Sequence, residues 1–557
     1  PYTRAGCNVG AVAMTGFALE NTTTDLTAAF GPNPPPSTNK FADFIGVAVH
    51  CAKNDPLCAG ANGGFPDKLP NEPNPDGSPA ATGPSGTSTA YEGYNALYGH
   101  RQLTQALTTT GQITPTAALT DINGNPIVDD FNGSLTPGFP GFSIQPQYSL
   151  GYVADMQEHG VPVTYAYIIT PHRPFDTNPY GYGFPNDQND YGPGEAHYVA
   201  QLKQYDDAFG KFFTRLAHDG IDKSNTLFVF TADEGDHFIG EAPTPRSCDG
   251  VTVPCTYPTT VTPTRTGPVT TSLGELDTNY NGLLQAEQSA TISNTALATV
   301  NNDDAPDIYL HGNPLPQDAL SRAFERATGA LTVTNPLSVA VGVPSTERLA
   351  QDLANPTEYQ ILHMLMADPL RTPTFTAFAQ PDYYVMGGSP PCSPDPASTA
   401  ACFVESPGFN WNHGDVQPQI STSWLGLAGP GVLNRGVDGP GPIAEARGVR
   451  FGTFSDHTDI RPTMLKLLGL RDDYTSDGRV LIEALADAVL PPALRSGGVD
   501  RAAYIQLAQL YKQLNAPVGA YGLATLQAST VALKSSSAGD SVYNSVEKAL
   551  TASGKNR

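Results

Sequence analysis

Residues 226–238 read TLFVFTADEGDHF. Apolar and β-branched residues lead up to Thr231, and Ala-Asp-Glu-Gly-Asp-His follows. A short apolar run that stops at a polar turn predicts a buried strand over 226–231. Three carboxylates crowded at one strand end repel one another unless something cationic offsets them. Asp233, Glu234, Asp236 and His237 are therefore candidate metal ligands. Carboxylate and imidazole donors suit one or two divalent ions, zinc first, and they also accept manganese, iron or calcium. The plainer reading of the same residues is an acidic loop containing a helix-capping Asp.

Working outward, EAHYVAQLKQYDDAFGKFFTRLAHDG (195–220) carries apolar residues at helical spacing and ends at Gly220, which predicts a long amphipathic helix. VPVTYAYII (161–169) predicts a buried strand, and LGYVADMQEHG (150–160) a helix closed by Gly160. Strand–helix–strand order argues for parallel pairing with right-handed crossovers. Functional loops in such sheets lie at the carboxyl ends of strands. The expected fold class is α/β: a central, mostly parallel sheet flanked by helices, with long loop insertions. The expected organisation is one catalytic domain over 1–475, with loop-rich insertions near 31–145 and 240–300, and a C-terminal helical segment, 476–557, packed on it. Further expectations are strands at 44–50, 307–312 and 422–428, a helical stretch over 345–368, and a loop feeding a helix over 455–470.

Composition bounds the class of protein. The 557 residues carry a formal charge of -24 and are 39% hydrophobic. Such a surface repels phosphate backbones and anionic membranes, so nucleic acid is not an expected partner. The 55 glycines and 51 prolines imply long irregular loops. No stretch approaches the ~20 apolar residues of a transmembrane helix. Residue 1 is Pro, so the numbering is expected to begin inside a longer precursor, with any signal peptide upstream of it. Six of the seven cysteines form local pairs, Cys51 with Cys58, Cys248 with Cys255 and Cys392 with Cys402, and Cys7 is left over. Loop-stapling disulfides in an oxidising compartment are the expectation, hence a secreted, periplasmic or cell-surface protein. Asn21 and Asn132 fit the glycosylation pattern, which matters only in a eukaryotic host.

Other residues sit where chemistry is expected. His172 follows the strand at 161–169. His413, in WNHGD, precedes the apolar run at 422–428, and a His-Gly pair lets the backbone turn tightly. Thr3 lies in PYTRAG, where the small residues after it predict a helix starting near Thr3. A hydroxyl there would meet free N–H groups and the positive end of the helix dipole, although a plain N-cap is the commoner use of threonine. Cys7 is the rival nucleophile. DTNYNGLLQAEQ (277–288) matches the first half of a calcium-binding EF-hand loop, but its twelfth position is Gln288. It reads better as a turn.

The order of these parts resembles the alkaline phosphatase superfamily. The nearest branches are the nucleotide pyrophosphatase/phosphodiesterases and the phospholipase C/acid phosphatase-like phosphoesterases. The resemblance rests on the hydroxyl near Thr3, the strand end at 233–237, NHGDVQPQISTSWLGLAGPGV (412–432) and SDHTDIRPTMLKLLGL (455–470). It implies a metal-dependent hydrolase of small-molecule or lipid phosphoesters. Thr3 would be the nucleophile, with Asp233, Glu234, Asp236, His237, His413 and His172 near the metals. Arg4 would contact a phosphate oxygen, and Asp456 and His457 would lie near the site rim. A sulfatase is disfavoured, because the Cys-x-Pro-x-Arg context is absent around Cys7. Thr170 stands where the family places an acid. That departure motivates the alternative: a secreted, non-catalytic binding or structural protein with a degenerate version of this fold.

Overall fold

The computed structural model describes residues 2–3, 9–13, 120–125, 146–158, 160–168, 191–239, 242–264, 267–339, 346–392, 402–437, 455–535 and 539–554. His172, Arg4, Cys7, the Cys51/Cys58 pair and the strand expected at 44–50 lie outside them. Among the described residues the chain is a mixed α/β protein built from small, mostly antiparallel sheets. The single large parallel sheet expected from strand–helix–strand order is not among them. The chain divides into two compact units, one formed mainly by residues 1–222 and the other mainly by 223–242 and 271–557.

In the first unit, strands β1 (Tyr2–Thr3) and β2 (Val9–Ala13) are antiparallel, and β2 runs parallel to β3 (Val163–Tyr167). The helix expected to start near Thr3 is thus corrected. Thr3 lies on a strand, and Val9-Gly-Ala-Val-Ala13, small and β-branched, pairs residue by residue with Val163–Tyr167. The helix-dipole argument for Thr3 falls with that helix. β3 is also less buried than expected, with Val163 and Tyr165 exposed, since apolarity alone does not say which faces are covered. Helix α1 (Pro146–Glu158) packs on α2 (Ala196–His218), which buries Ala208, Phe212 and Leu216. Arg215 of α2 joins the two helices through Asp155 and Glu158, each at 2.6 Å. The end of α2 is a Schellman closure: Gly220, at φ +76°, donates to Ala217, and Ile221 donates to Leu216. The Cys248–Cys255 disulfide is formed.

The second unit begins with β4 (Phe228–Thr231) and the short β5 (His237–Phe238), followed by β6 (Leu276–Asn279) and α3 (Tyr280–Gln288). Asn279 caps α3 by accepting from Gly282 N at 2.8 Å. The calcium-like stretch is therefore a strand running into a capped helix. Next come β7 (Ala298–Asn301), β8 (Asp307–Leu310), α4 (Ala319–Ala330), β9 (Ala350–Ala354), α5 (Pro356–Leu362) and β10 (Phe375–Ala379). The helical stretch expected over 345–368 is corrected to strand and then helix. Asn355 caps α5, Pro356 takes its first turn, and Glu358 completes a capping box.

Strands β9, β10, β8 and β7 form, in that order, an antiparallel sheet. Every residue of β10, FTAFA, is buried, as a strand covered on both faces requires. Ile308, Phe324, Leu353 and Phe375 share the core with Leu276 and Leu284. After α6 (Ile460–Leu468), the C-terminal helices α7 (Arg501–Asn515), α8 (Ala520–Ser535) and α9 (Ser541–Gly554) pack in series, and α8 contacts both β9 and α4. The Cys392–Cys402 disulfide staples a loop near α3. No helix among the described residues is long and apolar enough to cross a membrane.

Candidate functional site

Two antiparallel pairings build the end of β4. β4 itself pairs with residues Leu425–Ala428, with Thr231 opposite Leu425. After the acidic loop, β5 pairs with Trp411–Asn412, with Asn412 opposite His237. Continuing that register by one residue sets His413 across from Asp236. Between the pairings, Gly235 N donates to Ile420 O at 3.0 Å, and a Cβ on Gly235 would collide with the Gln419 and Ile420 carbonyls. Only glycine permits this approach, which holds the acidic loop against 417–420. Phe238 packs against Trp411 in a tilted contact and against Tyr257 edge-to-face, with ring centroids 4.9 and 4.7 Å apart.

His413 is the cation that this loop needs. Its Nδ1 lies 2.9 Å from Asp236 Oδ1, and its Nε2 lies 3.2 Å from Glu234 Oε1. Both ring nitrogens face carboxylates, so the imidazole is held as imidazolium. The hydrogen bond to Asp236, with the charges of Glu234 and Asp303, raises its pKa to about 9. Glu234 is pushed up as well. Burial is the largest cause, and repulsion from Asp233, Asp236 and Asp303 adds to it against the pull of His413. Gly414, at φ +105°, turns the chain just after His413, and a Cβ there would strike the Asp303 carboxylate. His237 stands apart from this pair. Its Nδ1 lies 2.7 Å from Gln419 Nε2, and its Nε2 lies 3.5 Å from Asp382 Oδ1, close enough for an ion pair but without hydrogen-bond geometry.

A second arm reaches the same strand end. Thr231 Oγ1 donates to the Trp424 carbonyl at 2.6 Å, which uses its only proton. Toward His457 Nε2, at 2.9 Å, the hydroxyl must therefore accept, so His457 carries its proton on Nε2. Asp303, Asp304 and Asp415 add further carboxyl groups beside this loop. Burial and neighbouring carboxylates push Asp304 up to about 8 and Asp415 to about 7. Asn412 donates to Asp304 at 2.6 Å. None of these three acids stood out in the sequence. Asn302-Asp303-Asp304 lies between unremarkable segments, and only the fold brings it to Gly414.

The structure thus joins Glu234, Asp236 and His413, keeps Asp233 and His237 on the same loop, and adds His457 through Thr231. The fit to a metal is poor as the residues stand. Glu234 and Asp236 approach opposite edges of one ring, so an ion replacing either proton would take one nitrogen and one carboxylate. Among the described residues no group of three or more His, Cys, Asp or Glu side chains is arranged to hold a metal ion. Neither a protein-family model nor a curated protein matches the chain.

Proposed function

We propose that the chain hydrolyses phosphate esters, as a phosphodiesterase or phosphatase, in an extracytoplasmic compartment, and that its chemistry occurs at the carboxyl end of β4. The observation that carries this reading is the convergence of Glu234, Asp236 and His413 from segments about 180 residues apart onto one strand end. Under this proposal His413, held as imidazolium between Glu234 and Asp236, gives a proton to the departing oxygen when one of those contacts opens. Thr3 is the nucleophile under this proposal and Arg4 a phosphate contact, both on the strength of the resemblance. The finer fold proposed is alkaline phosphatase-like. The two disulfides, Cys248–Cys255 and Cys392–Cys402, support a secreted, periplasmic or cell-surface location.

A divalent ion, zinc first, belongs to the proposal, and Asp233, Glu234, Asp236, His237, His413 and His172 are the residues that would hold it. The arrangement on β4 places a proton on His413 instead. Loading therefore demands that His413 lose its proton and that a carboxylate move to share one ring nitrogen. A second reading is favoured by the same observation: His413 already neutralises its two carboxylates, as it would in a non-catalytic binding or structural protein. The deciding experiment is metal content per chain by elemental mass spectrometry, run beside hydrolysis of p-nitrophenyl phosphate and bis(p-nitrophenyl) phosphate. One or two bound ions with hydrolysis that Thr3→Ala abolishes supports the enzyme. A metal-free chain inert toward both esters, even after zinc or manganese is added, supports the binding protein.

A further inference from the structure

We infer that Lys512 is a positioning residue for the β4 site, acting through His457; this rests on the reading of that strand end as the reactive one. Lys512 lies on α7, and its side chain is only 2% exposed. A buried ammonium must have partners for all three protons. Lys512 finds them at Asp456 Oδ2 (2.9 Å), Asp459 Oδ1 (2.7 Å) and Thr458 Oγ1 (2.9 Å). These three residues flank His457 on both sides. The turn is tied further from within: Thr458 N donates to Asp456, Asp456 N donates to Asp459, and Arg479 N donates to Asp459 at 2.8 Å. One fully buried cation thus fixes every neighbour of an imidazole that is itself exposed and touches Thr231, the last residue of β4.

Capping the short turn His457–Asp459 that leads into α6 needs only the Asp456–Asp459 box, which is already formed. The convergence of two carboxylates and a hydroxyl on one ammonium fixes the orientation of the whole turn. His457 is then held with Nε2 on the Thr231 hydroxyl. A displacement of about 1 Å in a positioned group can cost on the order of a hundredfold in rate.

The test uses the full chain and four variants: Lys512→Met, Lys512→Arg, His457→Ala and the Lys512→Met/His457→Ala pair. Two readouts are taken: kcat and KM on bis(p-nitrophenyl) phosphate, and the imidazole nitrogen signals of His457 by NMR. Lys512→Met is expected to lower kcat about tenfold or more with KM little changed, and to remove the Nε2–H signature of His457. Lys512→Arg restores part of both. On the His457→Ala background Lys512→Met has no further effect on kcat, because both changes act through one group. An unchanged His457 spectrum in Lys512→Met, or a full loss of rate on the His457→Ala background, overturns the inference. If the wild-type chain hydrolyses neither ester, the functional reading fails, and the NMR arm alone still decides whether Lys512 holds His457. Should Lys512→Met fail to fold, Thr458→Val removes one arm of the clamp and is read the same way, with a smaller change in the same direction.

Discussion

Two ionic clusters in the second unit share a design and differ in their cation. At the end of β4, His413 faces Glu234 and Asp236, with the histidine side chain 48% exposed. In the core, Arg322 of α4 faces Glu325 at 2.7 Å and also pairs with Glu547 of α9, and its own side chain is 5% exposed. Asn355 completes the core cluster by donating to Glu547 at 2.7 Å and to Glu325 at 3.2 Å, while the guanidinium lies 4.4 Å from the centre of the Tyr543 ring. A guanidinium keeps its proton at any ordinary pH, whereas an imidazolium can release it. The core cluster is therefore a fixed clamp that seats α9. The β4 cluster can change charge, and it does so where solvent can reach it. What separates the fixed cluster from the titratable one is the cation and its exposure, since both have more acid than base.

The strongest way to break the comparison is to remove the fixed cation. Arg322→Met leaves Glu325 and Glu547 under α9 without a cation, with the Asn355 amide still donating to both. Losing one member of a buried pair costs about 3–5 kcal/mol, and urea denaturation measures it. The loss should be smaller in mild acid, because burial pushes Glu325 up to about 8 and a protonated Glu325 needs the guanidinium less. A cost below about 1 kcal/mol at pH 8 would mean that the cluster does not hold α9.

Gly414→Ala probes the backbone of the titratable cluster. Alanine at φ +105° is strained, and its Cβ would meet the Asp303 carboxylate. The expected cost is about 1–3 kcal/mol. His413 should shift with it, weakening the Asp236 contact, and histidine NMR would show this as a lowered His413 pKa. An unshifted titration would show that the turn at Gly414 does not place the ring.

How much of this was legible beforehand depends on sequence distance. β4 and its acids could be read from one apolar run, and α2 from its spacing and Gly220. His413 was singled out, but its position opposite Asp236 comes from a register between Trp411–Asn412 and His237–Phe238, which no local pattern encodes. Asp303 and Lys512 gave no signal at all, because a lone Asp-Asp and a lone helical Lys look like solvated charges. The misreading of 345–368 was avoidable: Asn355-Pro-Thr-Glu358 is a helix start and should have ended any helix running into it. The misreading near Thr3 was not avoidable. Val-Gly-Ala-Val-Ala suits a close-packed helix or a strand equally well, and its parallel partner lies some 150 residues away.

The smallest expected effect is the most specific to the titratable cluster. His413 has a folded pKa of about 9, against about 6.5 in an unfolded chain. A raised pKa means that the folded state holds the proton more tightly. Its stabilisation is complete below about pH 6.5 and is lost as the pH rises through about 9. The ring is about half exposed, so solvent screening reduces the contribution to on the order of 1 kcal/mol. The raised carboxyls of Glu234, Asp304 and Asp415 lose stability in the same direction, so the pH dependence of the wild-type chain cannot be assigned to His413 by itself. The difference between wild type and His413→Gln isolates it. That difference should be largest near pH 6 and vanish by about pH 10. Its persistence at pH 10 would mean that something other than a proton holds the ring between Glu234 and Asp236. The same measurement repeated with added zinc would then show whether that something is a metal ion, because a metal-held ring keeps its contribution at high pH while a proton-held ring cannot.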